Sequence, residues 1–309
     1  MVRDTSTPYI VAGMPMYNEE ETIGSVVTRT LRHVDEVVCI DDGSSDASAR
    51  IAEACGATVI RHRVNRGYGA ALKSLFLHAR ELDVDALVVL DSDGQHECND
   101  IPDMLDPILK GEADFTIGSR FVEGGGGTDM PAYRRLGIKV ITAASNLSSD
   151  LGIKDTQSGF RAFSRTALDR LRFDAEGMEL SLEMLEDAQE KQLNVVEVPT
   201  IIRYDVPKGS SFTAVSHGFT VLTWALLSLS QKKPLLVLGL PGFGLLATGA
   251  AMGMRATQNF TFQLDTLIGD GISAVWIGLL GLALMATGLV LQSAQRFLKH
   301  LLVREFGLD

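Results

Sequence analysis

Two aspartates one residue apart, Asp91 and Asp93, close the apolar run Ala86 to Leu90, and Gln95 follows them. A short apolar run bounded by a turn reads as a buried strand of a parallel sheet. Open α/β sheets bind ligands at the carboxyl ends of their strands. Asp91 and Asp93 therefore belong at the mouth of a crevice. With the Gln95 amide they offer hard oxygen ligands to Mg2+ or Mn2+. Such an ion is held by one or two carboxylates, and substrate phosphates complete its shell. A lone D-x-D is also an ordinary polar turn, so the reading depends on its surroundings. An EF-hand loop is excluded, because Gly94 comes too early for that loop's sharp bend.

Further polar groups gather at the ends of other apolar runs. Tyr9 to Pro15 reads as a first strand; Glu19 then either suits the dipole of a helix's first turn or, with Pro15 and Tyr17, lies at the crevice lip against a nucleotide base. Asn18 and Glu21 have the spacing of a capping box, which predicts a helix over Glu19 to Arg32. Val37 to Ile40 predicts a second strand, ending in Asp41-Asp42-Gly43-Ser44-Ser45-Asp46. A carboxylate there either caps a turn or accepts from a base N–H or a ribose hydroxyl. Asn65-Arg66-Gly67-Tyr68-Gly69 opens a third helix. It fails the dinucleotide fingerprint, because Leu72 replaces the last glycine, and its glycines suit close helix–sheet packing.

Phe115 to Gly118 predicts a strand followed by Ser119-Arg120, where Arg120 suits a phosphate clamp. Gly124 to Gly127 read as a mobile loop or lid. Arg134, Arg135 and Lys139 fall on the next helix, and Arg135 and Lys139 share a face. Asp155-Thr156-Gln157-Ser158-Gly159-Phe160-Arg161 is dense in polar groups around a glycine hinge. A helix over Glu179 to Gln192 precedes the strand Val195 to Pro199, which its proline ends or places at an edge. Helices also fit Ala47 to Cys55 and Ile101 to Lys110, and a strand fits Thr58 to Ile60. Strands alternating with helices predict a mostly parallel, doubly wound α/β sheet.

Composition divides the chain. Of 309 residues, 46% are apolar and the net charge is -11, which argues against nucleic acid as a partner. The acidic balance, with Arg exceeding Lys, fits solubility in high salt. Cys39, Cys55 and Cys98 lack metal spacing and read as reduced cytoplasmic thiols. The polar N-terminus has no signal-peptide core. Residues 1–212 are expected to form the catalytic domain. Residues 213–233, with Trp224 and Lys232-Lys233, suit an interfacial helix. Residues 234–309 suit a membrane hairpin with a cytoplasmic tail. Pro234 to Met254 is uncharged and, at about 1.5 Å per residue, reaches about 31 Å. Ile272 to Leu291 is a second such run. Lysines before the first span and Arg296, Lys299 and Arg304 after the second place both ends in the cytoplasm. Glycines along both spans favour packing within the hairpin or between copies in a homo-oligomer.

Taken in order, these motifs resemble the family-2 inverting glycosyltransferases, and among them the polyprenyl-phosphate or dolichyl-phosphate hexose synthases. The likeness rests on Pro15-Met16-Tyr17-Asn18-Glu19, Ile40 to Asp46, Asn65 to Gly69, Asp91 to His96, Gly118-Ser119-Arg120, Asp155 to Arg161 and Glu197-Val198-Pro199. It implies a GT-A fold, a nucleotide-sugar donor and a membrane-lipid phosphate acceptor. It also implies roles. Pro15, Tyr17, Glu19, Ile40 and Asp42 hold the nucleoside; Asp91 and Ser92 complete that site; Asp93 and Gln95, with Asp91, bind Mg2+ or Mn2+. Arg120, Arg134 and Arg161 meet phosphates, and Asp155 positions or deprotonates the acceptor. The family's phosphate-binding Lys after Gly-x-Ser is replaced here by Ser211-Phe212, leaving Lys208 or Arg203 as substitutes. The acidic composition points to archaeal-type enzymes of protein N-glycosylation, with UDP-glucose ahead of GDP-mannose as donor. Processive polysaccharide synthases carry a Gln-x-x-Arg-Trp motif, and no Arg-Trp occurs here. A non-enzymatic membrane adaptor leaves the acidic pair unexplained.

Overall fold

The computed structural model describes residues 7–128, 130, 132–148, 151–175, 180–203, 223, 229–230, 233–258 and 264–306. Lys208, the 209–211 run and nearly all of the interfacial helix expected over 213–233 lie outside these residues. The chain divides into two compact units, Met1–Ala225 and Leu226–Asp309.

In the first unit, β1 (Ile10–Met16), β2 (Glu36–Asp41), β3 (Thr58–Arg61), β4 (Ala86–Val89), β5 (Phe115–Ser119), β7 (Arg161–Ser164) and β8 (Val195–Pro199) form one sheet. Its order is β3-β2-β1-β4-β7-β5-β8. A second, two-stranded sheet joins β6 (Gly126–Thr128) to β9 (Ile201–Arg203) in parallel. β7 runs antiparallel to both β4 and β5. The main sheet is therefore mixed around an otherwise parallel frame. Pro199 ends β8, the strand at one edge of the sheet, where a residue without an N–H costs no ladder bond.

Both faces of the sheet are covered, which is why its central strands read as unbroken apolar runs. Alternate side chains go to opposite sides. Val38, Ile40, Leu87 and Val89 pack with α3 (Tyr68–Glu81), α6 (Arg165–Arg170) and α7 (Leu180–Glu190). Val37, Cys39, Val88 and Leu90 pack with α1 (Ile23–Thr30), α2 (Ser48–Ala54) and α4 (Ile101–Leu109). Phe163 of β7 stacks on Phe115 at 4.6 Å and meets Phe76 edge-on at 4.9 Å. α3 lies close on β1 because Gly13 has no side chain: a Cβ there would stand 2.1 Å from Leu75. A close helix–sheet approach thus falls at Gly13.

The first helix differs from expectation. α1 begins at Ile23 after Thr22, and Asn18 is not its cap. Asn18 takes a left-handed φ of 58°, and its Oδ1 accepts from Ser45 N at 2.9 Å. Glu20 serves a neighbouring helix, its Oε2 accepting from Ala47 N at 3.0 Å, just ahead of α2. Residues 17–22 therefore clamp two strand ends together, a long-range demand that overrides the local capping pattern.

Between α4 and α7 lies α5 (Ala132–Ser148). In the second unit, Leu235–Gly239 wind as a wide π turn into α8 (Leu240–Gln258), and α9 spans Leu264–Phe306. The stretches Leu235–Thr257 and Gly271–Gln295 are long and apolar enough to cross a membrane, and only 11% and 17% buried, unlike core helices. A Cβ on Gly242, Gly249 or Gly281 would come within 3 Å of the facing helix backbone. Those three glycines are thus used within the hairpin.

Candidate active site

β1, β2 and β3 step outward in one direction, and β4 lies on the other side of β1. This reversal leaves a crevice beyond the carboxyl ends of β1 and β4. A cavity of about 410 Å3 opens there, and it gathers Pro15, Tyr17, Glu19, Asp42, Asp91, Ser92, Asp93, Gln95 and Arg120. Ile40, Asp155 and Arg161 are not among its lining residues. Arg134 lies on α5, and its side chain is outside what the structure describes.

The acidic side is assembled by hydrogen bonds between strand ends. Ser92 Oγ donates to Pro15 O at 2.8 Å, and Thr22 Oγ1 donates to Ser92 O at 2.8 Å. Gln95 N donates to Asp93 Oδ1 at 2.9 Å, closing a tight turn in which Gly94 supplies a φ of 77°. Glu19, Asp91 and Asp93 line the same cavity, and the two aspartates act on the Glu19 carboxyl. Burial, then Asp93, then Asp91 and Asp46 push the Glu19 carboxyl up to about 7, against the lowering effect of its bond from Thr22. An all-oxygen set of this kind, with its charges in mutual repulsion, fits a hard divalent cation.

Asp42 is more committed than expected for a nucleoside contact. His62 Nδ1 lies 2.7 Å from its Oδ1, and the amides of Arg66 and Gly67 donate to it at 2.9 and 2.8 Å. A carboxylate has about four acceptor positions, so Asp42 mainly fixes the 65–67 turn at the start of α3. The same turn presses on Gly43, where a Cβ would meet Asn65 N at 2.8 Å.

The basic side is neutralised within the protein. Asp155 is fully buried, and Arg120 Nε and Nη2 each donate to it at 2.6 Å. Arg120 N adds a third bond at 3.0 Å. Glu197 in turn accepts from Lys154 N and Asp155 N at 2.9 and 3.0 Å. Arg161 sits beneath the cavity, donating to the carbonyls of Ser158 at 2.9 Å and Thr156 at 3.1 Å. Burial pulls its pKa down. Tyr68 lines the cavity, and burial with Asp91 nearby pushes its phenol well up, so it stays protonated as a hydrogen-bond donor.

The glycine run is not a loose lid throughout. Gly126–Thr128 form β6, paired with β9, and a Cβ on Gly125 would fall 2.2 Å from Ser119 O. The glycines allow the chain to turn back against β5. β9 also reaches the acidic loop, where Arg203 N donates to Gln95 O at 2.9 Å and Ile202 bridges His96.

The model of glycosyl transferase family 2 matches residues 12–172, more than half of the chain. The chain belongs to that family. This glycosyltransferase is 31% identical to the UDP-N-acetylglucosamine–dolichyl-phosphate N-acetylglucosaminyltransferase of Methanococcus voltae, over 72% of this chain and 96% of the relative. It is 29% identical to the polyprenol monophosphomannose synthase of Mycolicibacterium smegmatis, over 73% of this chain and 89% of that one. Among solved structures it resembles glucosyl-3-phosphoglycerate synthase from Mycobacterium tuberculosis in complex with Mn2+, UDP and glucosyl-3-phosphoglycerate. The TM-score is 0.57 and the identity 23%, covering 74% of this chain and 80% of that one. That likeness carries the GT-A fold.

Sequence reasoning gave no role to several residues of the glycosyltransferase site. His96 stands next to Gln95 in the acidic motif yet reads as an ordinary turn residue. Tyr68 is hidden between two glycines. Glu197 lies on β8, and its partner amides stand 42 and 43 residues away, a separation no local pattern reports.

Proposed function

We propose that this enzyme moves a hexose from a nucleotide sugar to a polyprenyl or dolichyl phosphate, with inversion at the anomeric carbon. The observation that carries the reading is the convergence of Glu19, Asp91 and Asp93 on one cavity at the sheet's topological switch point. Two relatives named for dolichyl-phosphate or polyprenol-phosphate chemistry support the acceptor class. Solved GT-A neighbours in complex with Mn2+ or Mg2+ and UDP support the cation.

Asp93 and Gln95, with Asp91, would hold Mg2+ or Mn2+. When bound, that ion supplies positive charge against the departing nucleoside diphosphate. Pro15 and Tyr17 at the lip offer a surface for the base, while Asp42 stiffens the 65–67 turn beside it. Arg120, held by Asp155, presents a fixed cation on the opposite wall. A preorganised charge of this kind stabilises developing anions without reorganising during reaction. A phosphate monoester has its second pKa near 6, so at neutral pH it is already largely anionic. It needs little help from a base, and Asp155 is better suited to positioning Arg120 than to accepting a proton. Tyr68, kept protonated, donates a hydrogen bond into the cavity.

The two apolar helices support a membrane tether, and the positive-inside pattern supports a cytoplasmic position for both flanks. The sugar donor proposed first is UDP-glucose, with GDP-mannose second. The test is incubation of membranes carrying the enzyme with a panel of labelled nucleotide sugars and a polyprenyl phosphate. One donor is expected to give a labelled lipid phosphate sugar, which Asp93→Ala abolishes. Label entering only a long polysaccharide, or product formation surviving Asp93→Ala, overturns the reading.

A further inference from the structure

Asp91 leaves the end of β4 with its carboxylate confined on two sides. On one side is Gly159, where a Cβ would stand 2.7 Å from Oδ2 and 3.0 Å from Oδ1. On the other is His96, whose Nε2 lies 3.2 Å from Oδ2. The His96 side chain is only 3% exposed, and its Nδ1 has no hydrogen-bond partner. Its ring instead leans on Phe160, with centroids 5.1 Å apart. Its backbone is bridged to Ile202 of β9. The imidazole is therefore fixed by packing and by a backbone bridge, and among the described residues its ring hydrogen-bonds to Asp91.

We propose that His96 is a positioning residue: its Nε2–H commits Asp91 Oδ2, sets the carboxylate rotamer, and leaves Oδ1 as the oxygen offered to a divalent cation. The inference rests on the reading that Asp91 and Asp93 hold such an ion. A carboxylate ligand that must also choose its rotamer loses entropy on binding; one already held does not. Partners behind metal ligands commonly contribute 10–100-fold to metal affinity or activity. Gly159 completes the arrangement by leaving room for both carboxylate oxygens.

The test is direct Mn2+ binding, followed by electron paramagnetic resonance, with the full-length protein in detergent and no sugar donor present. His96→Phe keeps a ring against Phe160 and deletes the N–H. It is expected to weaken Mn2+ binding about 10–100-fold while the thermal midpoint of the metal-free protein stays at the wild-type value. His96→Gln and His96→Asn form a second pair, independent of the first: the Gln amide reaches the place of Nε2, and the Asn amide stops near Nδ1. Gln is expected to recover most of the affinity and Asn little. Wild-type affinity in His96→Phe, or equal affinities in the Gln and Asn variants, overturns the inference while the cation reading stands. A wild-type protein that binds no Mn2+, or binding unchanged in Asp93→Ala, overturns the cation reading and this inference with it.

Discussion

Two charged walls face each other across the cavity, and they are built on opposite principles. The wall at the ends of β1 and β4 holds Glu19, Asp91 and Asp93, and there burial and the neighbouring carboxylates push Glu19 up to about 7. The wall made by the end of β5 and the 155–161 segment pairs Arg120 with Asp155 and holds Arg161 on backbone carbonyls, with burial still pulling the Arg161 pKa down. An unbalanced cluster stores repulsion that a ligand can relieve. A paired one stores less and holds its groups in fixed positions. Residue type alone does not separate the two cases. Asp155 and Asp93 are the same side chain near the same cavity, and their partners make one a strut and leave the other the proposed ligand.

The largest expected effect breaks the balanced wall. Asp155→Ala leaves the Arg120 guanidinium buried without its partner, a change that costs about 3–5 kcal/mol. Urea denaturation of the full chain in detergent should show that loss, and Arg120→Met with Asp155→Leu together should recover much of it. A stability loss under about 1 kcal/mol for Asp155→Ala would mean that solvent reaches the pair. The matching change on the acidic wall behaves in the opposite way. Asp93→Asn removes repulsion, so the metal-free protein should unfold at the same temperature or higher. Its glycosyl transfer should fall roughly 100- to 1,000-fold, the scale of losing one preorganised electrostatic group.

A smaller effect tests how tightly the two walls meet. Gly159→Ala places a methyl group 2.7 Å from Asp91 Oδ2, and overpacking of this kind costs about 1–3 kcal/mol. Because the obstructed atom belongs to the acidic wall, activity should fall more than stability. Comparing the KM for Mn2+ with the thermal midpoint separates the two. An unchanged KM for Mn2+ would mean that Asp91 yields freely.

Much of this organisation was legible from sequence where the signal is local. Val37 to Ile40, Ala86 to Leu90 and Phe115 to Gly118 are apolar runs because both of their faces are covered, and each ends in the polar groups that line or support the cavity. Arg161 to Ser164 carries no such signal. It is short, begins with a charge, and becomes the antiparallel β7 only because β4 and β5 stand ready to pair with it. The second half of the glycine run left the expected loop for a related reason, since β9 supplies a ladder 75 residues downstream that no periodicity announces. Asn18 shows the converse: a good capping pattern lost to a long-range bond with Ser45. Site residues followed the same division. Asp91, Asp93 and Gln95 declare themselves within five residues, whereas the pairing of Asp155 with Arg120 spans 35.

The smallest expected effect sharpens the contrast through pH. Glu19 holds its proton more tightly in the folded chain, near 7 instead of the ordinary 4.5. Its neutral form is therefore stabilised by folding, and its charged form is not. The stability associated with that proton is complete below about pH 4.5 and is lost as pH rises toward about 7, after which no further change comes from this group. Metal-free wild-type protein should show a falling thermal midpoint across that window, relative to Glu19→Gln, which cannot ionise. The side chain is about half buried, so the difference should shrink as salt is added. Asp93→Asn should shrink it as well, because Asp93 is the largest of the charges acting on Glu19. Parallel pH profiles for wild type and Glu19→Gln would mean that the acidic wall is better neutralised than its geometry implies, and the contrast between the two walls would rest on Asp91 and Asp93 alone.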